Sequence, residues 1–523
     1  MRGAHLGLAA VLVLSQAAGA QLRQQGGKFA GPAQGLAGQG AAGAVSADGK
    51  TAVVGGPKDD GGVGAAWVYV RWGGIWIQQG GKLVGSGAVG AAHQGSSVAI
   101  LGDGGTVVVG GENDDGGVGA VWVWTRTGGV WTQQGPKLVG TGAVGLSRQG
   151  SSVAISAWSN LIAVGGPGND DGAGAVWVWR RTGEVWTQDY WKKTTGYRDG
   201  ALGSSLAVSA DGSTILAGAP TLKSFEGIIG GQAWGWVKES ETRLYGVGAV
   251  GDSREGTSVA LSADGTTAIV GGVGDDGGTG AAWVFTRPAA RSWYSQEDGK
   301  LVGTGAVGAA LQGASVALSA DGNTAILAGP SDGNGAGAVW VWRRTGGLWA
   351  QQGEKLVGSG AQSPARQGES VSMSAAGNAL IGGPSDASGA GATWYFAAGQ
   401  SFYALTPCRI LDTRDPDGPL GGPVLAPESS RLFMMTGVCG VPADASALSA
   451  NVTVTQTTAA GGLTLHPGDE ATPEASTISF GAGRTRANNA MLLLAGDGTG
   501  TVNVVNRSPG SVHVIVDVNG YFR

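Results

Sequence analysis

The chain has 523 residues, a net charge of −5 and 42% apolar residues, so it is too apolar for a disordered polymer and carries no basic block for nucleic acid. Its 102 glycines follow no three-residue period, which excludes collagen. Beyond the N-terminus, no run reaches the roughly 18 uninterrupted apolar residues that a membrane helix needs.

Residues 1–20 read as a secretory signal. Arg2 gives a short positive start, Leu6–Leu14 a brief apolar run, and Ala18-Gly19-Ala20 a small-residue cleavage site. The mature protein is then expected to start near Gln21 and to be secreted, either extracellular or associated with a cell surface. From there a tryptophan recurs at Trp67, Trp122, Trp177, Trp234, Trp283, Trp340 and Trp394, at intervals of 55, 55, 57, 49, 57 and 54 residues. A fixed period of this size marks a repeat architecture.

Each repeat reads as four strands: a WTQQG-type strand, then SSVAIS, LIAVGG and AVWVWRR, as in the stretch from Trp131 to Thr182. Between the second and third strands stands Ser-Ala-Asp-Gly, at 46–49, 209–212, 262–265 and 319–322. Asp-Gly between apolar strands signals a tight hairpin, because glycine accepts the positive φ of the turn. A longer acidic, glycine-rich loop separates the third and fourth strands, and an Arg-Thr-Gly-Gly turn follows the fourth. Seven such units predict a seven-bladed β-propeller over residues 21–399. Residues 24–29, QQGGKF, copy the later QQGPKL and are expected to open the first blade. The fourth blade, about residues 188–239, is the most degenerate: its strand becomes Gln232-Ala233-Trp234-Gly235-Trp236 and its acidic loop LKSFEGIIGG.

From residue 400 the pattern changes to eight or nine short alternating strands, which predict a C-terminal β-sandwich over 400–523. In the last strand Val512, Val514, Val516 and Val518 face one way, and His513, Ile515, Asp517 and Asn519 the other. The only cysteines, Cys408 and Cys439, are expected to form a disulfide in an exported protein, two buried thiols being the alternative.

The repeat resembles the FG-GAP repeat, the blade unit of integrin α-chain propellers, in its bacterial secreted form. The matching pieces are Trp131, Lys137-Leu138, Gln149 to Ala154, Gly165-Gly166-Pro167, Asp170-Asp171 and Gly174 to Trp179, and they recur over about residues 21–399. The resemblance implies adhesion or protein recognition. The phenylalanine of the family name is replaced, as in Gln94-Gly95 and Gln312-Gly313, and the family's D-x-D-x-D-G calcium loop is reduced to the short SADG turn. The tail resembles a domain found on many secreted bacterial proteins, through Pro407 to Arg414 and Asp517 to Phe522.

The strand aromatics, such as Trp122/Trp124, recur in every blade and read as packing between blades. Trp72, Trp76, Trp131, Trp186, Trp293 and Trp349 border the last hairpin, where exposure would suit sugar stacking. The acidic pairs Asp59-Asp60, Asp114-Asp115, Asp170-Asp171 and Asp275-Asp276 offer carboxylates to calcium, against the alternative of solvated turns. Asp412, Asp415 and Asp417 in the tail pose the same choice, and Asn451-Val452-Thr453 fits a glycosylation acceptor. The four histidines build no Cys/His metal cluster. The adjacent Asp264-Gly265 does not have sialidase Asp-box spacing.

These features point to a non-catalytic, monomeric propeller that binds an extracellular protein. The alternatives are a glycan-binding propeller and a secreted glycosidase or lyase. Because the repeat fixes the scaffold, ligand contacts are expected where it fails: Tyr190, Trp191 and Arg198 on one segment, and Lys223, Phe225 and Glu226 on another.

Overall fold

The computed structural model describes residues 21–72, 74–158, 160–192, 199–223, 230–237, 240–289, 293–362, 364–398, 402–496 and 498–522. The signal reading of residues 1–20 lies outside these. The chain is all-β and divides into two units, one at Gln21–Ala398 and one from Gly399 onward. Among the described residues no helix is long and apolar enough to cross a membrane.

The first unit contains seven four-stranded antiparallel sheets. The second sheet shows the plan: Ser97–Ile100, Thr106–Gly111, Ala120–Thr127 and Val130–Gln133 lie side by side in that order. Its middle strands are buried on both faces, which explains why Thr106–Gly111 and Ala120–Val123 read as continuous small and branched apolar runs. The WTQQG-type strand therefore belongs to the preceding sheet, as its outermost strand, and does not open the next one. The Gly128-Gly129 turn folds it straight back on its predecessor, pairing Thr127 with Val130, so the sheet boundary falls one strand later than the sequence repeat. The N-terminal segment follows the same rule. Leu22–Gln24 pairs with Ala392–Ala398 and completes the last sheet, not the first.

The leading strands touch in cyclic order. Ala42–Val45 meets Ser97–Ile100, and contact passes through Ser152–Ile155, Leu206–Val208, Glu255–Leu261 and Ser315–Leu318 to Ser370–Met373, which returns to Ala42–Val45. Backbone bonds join neighbouring hairpin turns as well, Ala375 N–H to Ala47 O and Ala210 N–H to Ala263 O among them. One departure from an all-strand reading lies in the acidic loops. Outside the fourth sheet, each forms a single helical turn, such as Asp59–Gly62, broken by left-handed residues; Asp60 has φ 49°, a conformation aspartate tolerates better than most residues.

The second unit has two four-stranded sheets. One contains Phe402–Asp412, His513–Phe522, Ala447–Thr455 and Arg486–Leu493. The other contains Ser430–Met434, Thr501–Asn506, Gly461–Pro467 and Ile478–Phe480. Both sheets contribute to one apolar core, which includes Phe433, Val452, Val502 and the expected row Val512, Val514, Val516 and Val518. Cys408 and Cys439 are joined in a disulfide, with Cα atoms 5.8 Å apart.

Candidate functional site

The recurring tryptophan is a packing element. Trp67, Trp122, Trp177, Trp283, Trp340 and Trp394 are fully buried. Each indole N–H donates to a backbone carbonyl of the preceding segment, as Trp122 Nε1 does to Ser86 O at 2.8 Å. Beneath the indole the chain must come so close that only glycine fits: a Cβ on Gly85 would lie 2.1 Å from Trp122 Cδ1. A buried glutamine clamps that glycine from the other side. Gln94 Oε1 accepts from Gly85 N–H at 2.5 Å, and Gln94 Nε2 donates to Gly85 O at 3.1 Å.

The acidic loops are also structural. Asp59, Asp114 and Asp275 are buried, and each carboxylate holds two partners. One oxygen accepts a backbone N–H, from Gln34, Val89 and Val250 respectively. The other meets the lysine of the KL motif, Lys82, Lys137 and Lys300. Asn169 takes the same position in the third loop, so Asp170 and Asp171 there, like Asp60, Asp115 and Asp276, occupy the exposed left-handed part of the turn. The eight aspartates thus form ion pairs and turns, and among the described residues no group of three or more His, Cys, Asp or Glu side chains that could hold a metal ion occurs. In the tail, Asp412 is gripped by Arg414 at 2.9 and 2.6 Å. Those hydrogen bonds outweigh burial and push its carboxyl down to about 2, while Asp415 and Asp417 are exposed. Arg409 links Asp412 to Asp517, so the two signature segments of the tail are adjacent strands. Asn451 sits mid-strand, paired on both sides, a poor setting for glycosylation.

The outermost strands are where the sheets differ. Trp131, Trp186 and Trp349, expected to be exposed, wedge instead between neighbouring sheets. Their indoles donate to Gln79, Gln134 and Glu297 of the preceding sheet at 3.0, 2.9 and 3.3 Å. An arginine from the adjacent strand covers each ring at 5.4 Å: Arg126, Arg181 and Arg344. Trp76 fills the first sheet's position against Phe29 and Tyr395, Tyr294 the fifth's beneath Arg287, and Leu22 the seventh's. Of the six tryptophans expected to be exposed, only Trp72 and Trp293 are so in fact, joined by the unanticipated Trp158.

Among the described residues the fourth sheet has no such wedge. Its Trp236 pairs with Glu241, whereas Trp124 pairs with Gln133 and Trp342 with Gln351. The fourth hairpin is therefore four residues shorter, and its outer strand, Ser240–Leu244, is SETRL, without an aromatic. Beside it a cleft of about 650 Å³ opens between the third and fourth sheets. Arg180, Tyr190 and Lys192 line it from the third sheet; Asp211, Ser213, Ile215 and Trp236 line it from the fourth. Arg180 Nε donates to Asp189 at 2.5 Å, and Lys192 lies 5.4 Å over the Tyr190 ring. Burial acts to raise the Asp211 carboxyl, but hydrogen bonds from Ser213 and Ser209 win and hold it below the ordinary range.

Of the ligand residues expected from sequence, Tyr190 lines this cleft. Trp191 stacks on the buried Trp177 at 6.4 Å and belongs to the packing. Lys223 is exposed, at the edge of the described segment. Arg198, Phe225 and Glu226 lie outside the described residues. Sequence reading missed Arg180, Lys192, Asp211 and Trp236, although the absence of an aromatic from SETRL was the signal for them. No family model matches the chain, and no curated protein matches it.

Proposed function

We propose that residues 21–398 form a closed seven-bladed β-propeller, that the tail is a β-sandwich, and that the exported protein is a non-catalytic module recognising an extracellular protein. The cyclic contacts of the leading strands and the strand supplied by Leu22–Gln24 support closure, since sheets that meet in a ring leave only short, protected edges. The resemblance to FG-GAP propellers supports adhesion. The observation that carries the reading is the interruption of the rim: among the described residues every other sheet fills the interval with a large side chain, and the fourth leaves a concave, mixed-charge cleft with aromatic walls.

The chemistry of the cleft suits binding more than turnover. Asp211, the carboxylate among the residues that line it, is engaged by two serines and held ionised, so it is not poised to move a proton near neutral pH, and Asp189 at its border is paired with Arg180. The glycan alternative depended on exposed hairpin tryptophans; Trp131, Trp186 and Trp349 are tied into the rim, which leaves Trp72 and Trp293 for it. The test is surface-immobilised protein against a panel of extracellular matrix and cell-surface proteins, beside a glycan array. A protein hit weakened by Arg180→Ala and Tyr190→Ala is expected; glycan hits alone, or a protein hit indifferent to both substitutions, would sink the proposal.

A further inference from the structure

The repeat itself supplies templates for what fits the cleft. In the second, third and sixth sheets the equivalent space holds an indole whose N–H donates to one residue of the preceding sheet: Gln79, Gln134 or Glu297. That residue follows the outer-strand glutamine that pairs with the second aromatic of the preceding strand, as Gln79 follows Gln78, which pairs with Tyr69. Asp189 occupies this position in the third sheet, directly after Gln188, which pairs with Trp179. In the fourth sheet no indole comes to meet it, because the hairpin that would carry one is cut short.

Glu297 shows what a carboxylate does at this place. Its Oε2 accepts from both Trp349 Nε1 at 3.3 Å and Arg344 at 2.8 Å. Asp189 already accepts from an arginine, Arg180 of its own sheet, at 2.5 Å. A carboxylate has four acceptor sites, so capacity for an aromatic donor remains. The walls match as well: Ile215 and Trp236 provide apolar surface, and Tyr190 and Lys192 an aromatic and cationic flank. Resting on the recognition role proposed above, we infer that the cleft receives an aromatic side chain bearing an N–H or O–H donor, tryptophan or tyrosine, from an exposed hairpin of the partner protein. The partner completes the rim by supplying the wedge that the fourth sheet lacks.

The probe is a fluorescently labelled peptide with the chain's own sixth hairpin, WRRTGGLWAQ, corresponding to Trp342–Gln351. Anisotropy with the full-length protein is expected to show saturable binding. Replacing by alanine the peptide tryptophan that corresponds to Trp349 is expected to weaken it by about tenfold or more, as buried aromatic anchors do. Asp189→Ala in the protein is expected to weaken it by about fivefold, the scale of one hydrogen bond. A chain in which residues 237–240 are replaced by the sequence of 343–350 fills its own cleft, and is expected to lose peptide binding while its melting temperature rises. Absence of saturable binding up to roughly 1 mM peptide, a weak affinity by any standard, overturns the inference, as does equal binding of the alanine peptide or undiminished binding to the grafted chain. The two proposals fail separately. Capture of an extracellular protein that is sensitive to Arg180→Ala, without peptide binding, leaves the recognition role and removes the wedge. Peptide binding without any protein partner does the reverse.

Discussion

The interval between the first two sheets and the interval between the third and fourth have the same ancestry in the repeat but opposite contents. The first is closed by Trp131, donating to Gln79 beneath Arg126. The second is an open cleft bordered by the exposed pair Arg180–Asp189. Four residues of hairpin make the difference. In a repeat protein, regularity serves packing, and a local loss of regularity exposes groups that elsewhere would be covered.

Ion pairs offer the sharpest way to break this comparison. Lys82→Ala would leave the fully buried Asp59 without its counter-charge, and a loss of about 3–5 kcal/mol is expected, read as a lower denaturation midpoint. A loss below about 1 kcal/mol would mean that the acidic loops are solvated after all. Trp131→Ala removes a half-buried wedge and is expected to cost about 3 kcal/mol, in the range of large-to-small aromatic changes. If it costs nothing, the closed intervals do not depend on their wedges, and the open one loses its significance.

A third test uses the fifth sheet, where Glu255 takes the position that Gln94, Gln149, Gln312 and Gln367 hold elsewhere. It accepts from Gly246 N–H at 2.5 Å, but as a carboxylate it cannot return a proton to the glycine carbonyl as glutamine does. Burial, reinforced by the Asp275 charge and opposed by the Gly246 and Ser253 bonds, pushes its carboxyl up to about 7. A carboxyl raised in the folded state holds its proton there after the unfolded chain has lost its own. Stability is therefore full below the unfolded value of about 4.5, falls as pH rises, and levels off above about 7. Glu255→Gln is expected to flatten this slope and to stabilise the protein at pH 8 by about 2–3 kcal/mol. Parallel pH profiles for the two proteins would disprove it. The smallest effect belongs to the open interval. Arg180→Ala breaks a half-exposed pair, so a change below about 1 kcal/mol is expected in thermal melts. A larger loss would make Arg180 part of the scaffold instead of the binding surface.

The strands, their number and their hairpins were legible because alternating and continuous apolar runs bounded by Asp-Gly and Gly-Gly follow from local sterics. The role of the recurring tryptophan was legible too, since only a core demands identical spacing. The offset between repeat and sheet was harder to read, because a motif that starts a sequence unit can end a structural one; the Gly128-Gly129 turn sets that boundary. The ion pairs of the acidic loops were hard to read for a related reason. Asp59 and Lys82 are 23 residues apart, and no local pattern tells an aspartate facing a lysine from one facing water.

By itself, the sequence determined the seven four-stranded units, the packing role of the recurring tryptophan and the cysteine pair, because these depend on local turns, on periodicity and on composition. Only the tertiary structure decided that Leu22 completes the last sheet, that Trp131, Trp186 and Trp349 are covered, and that a short hairpin opens a cleft beside Arg180 and Trp236. Those outcomes depend on which side chain a neighbouring sheet presents, and that is a property of packing between segments far apart in the chain.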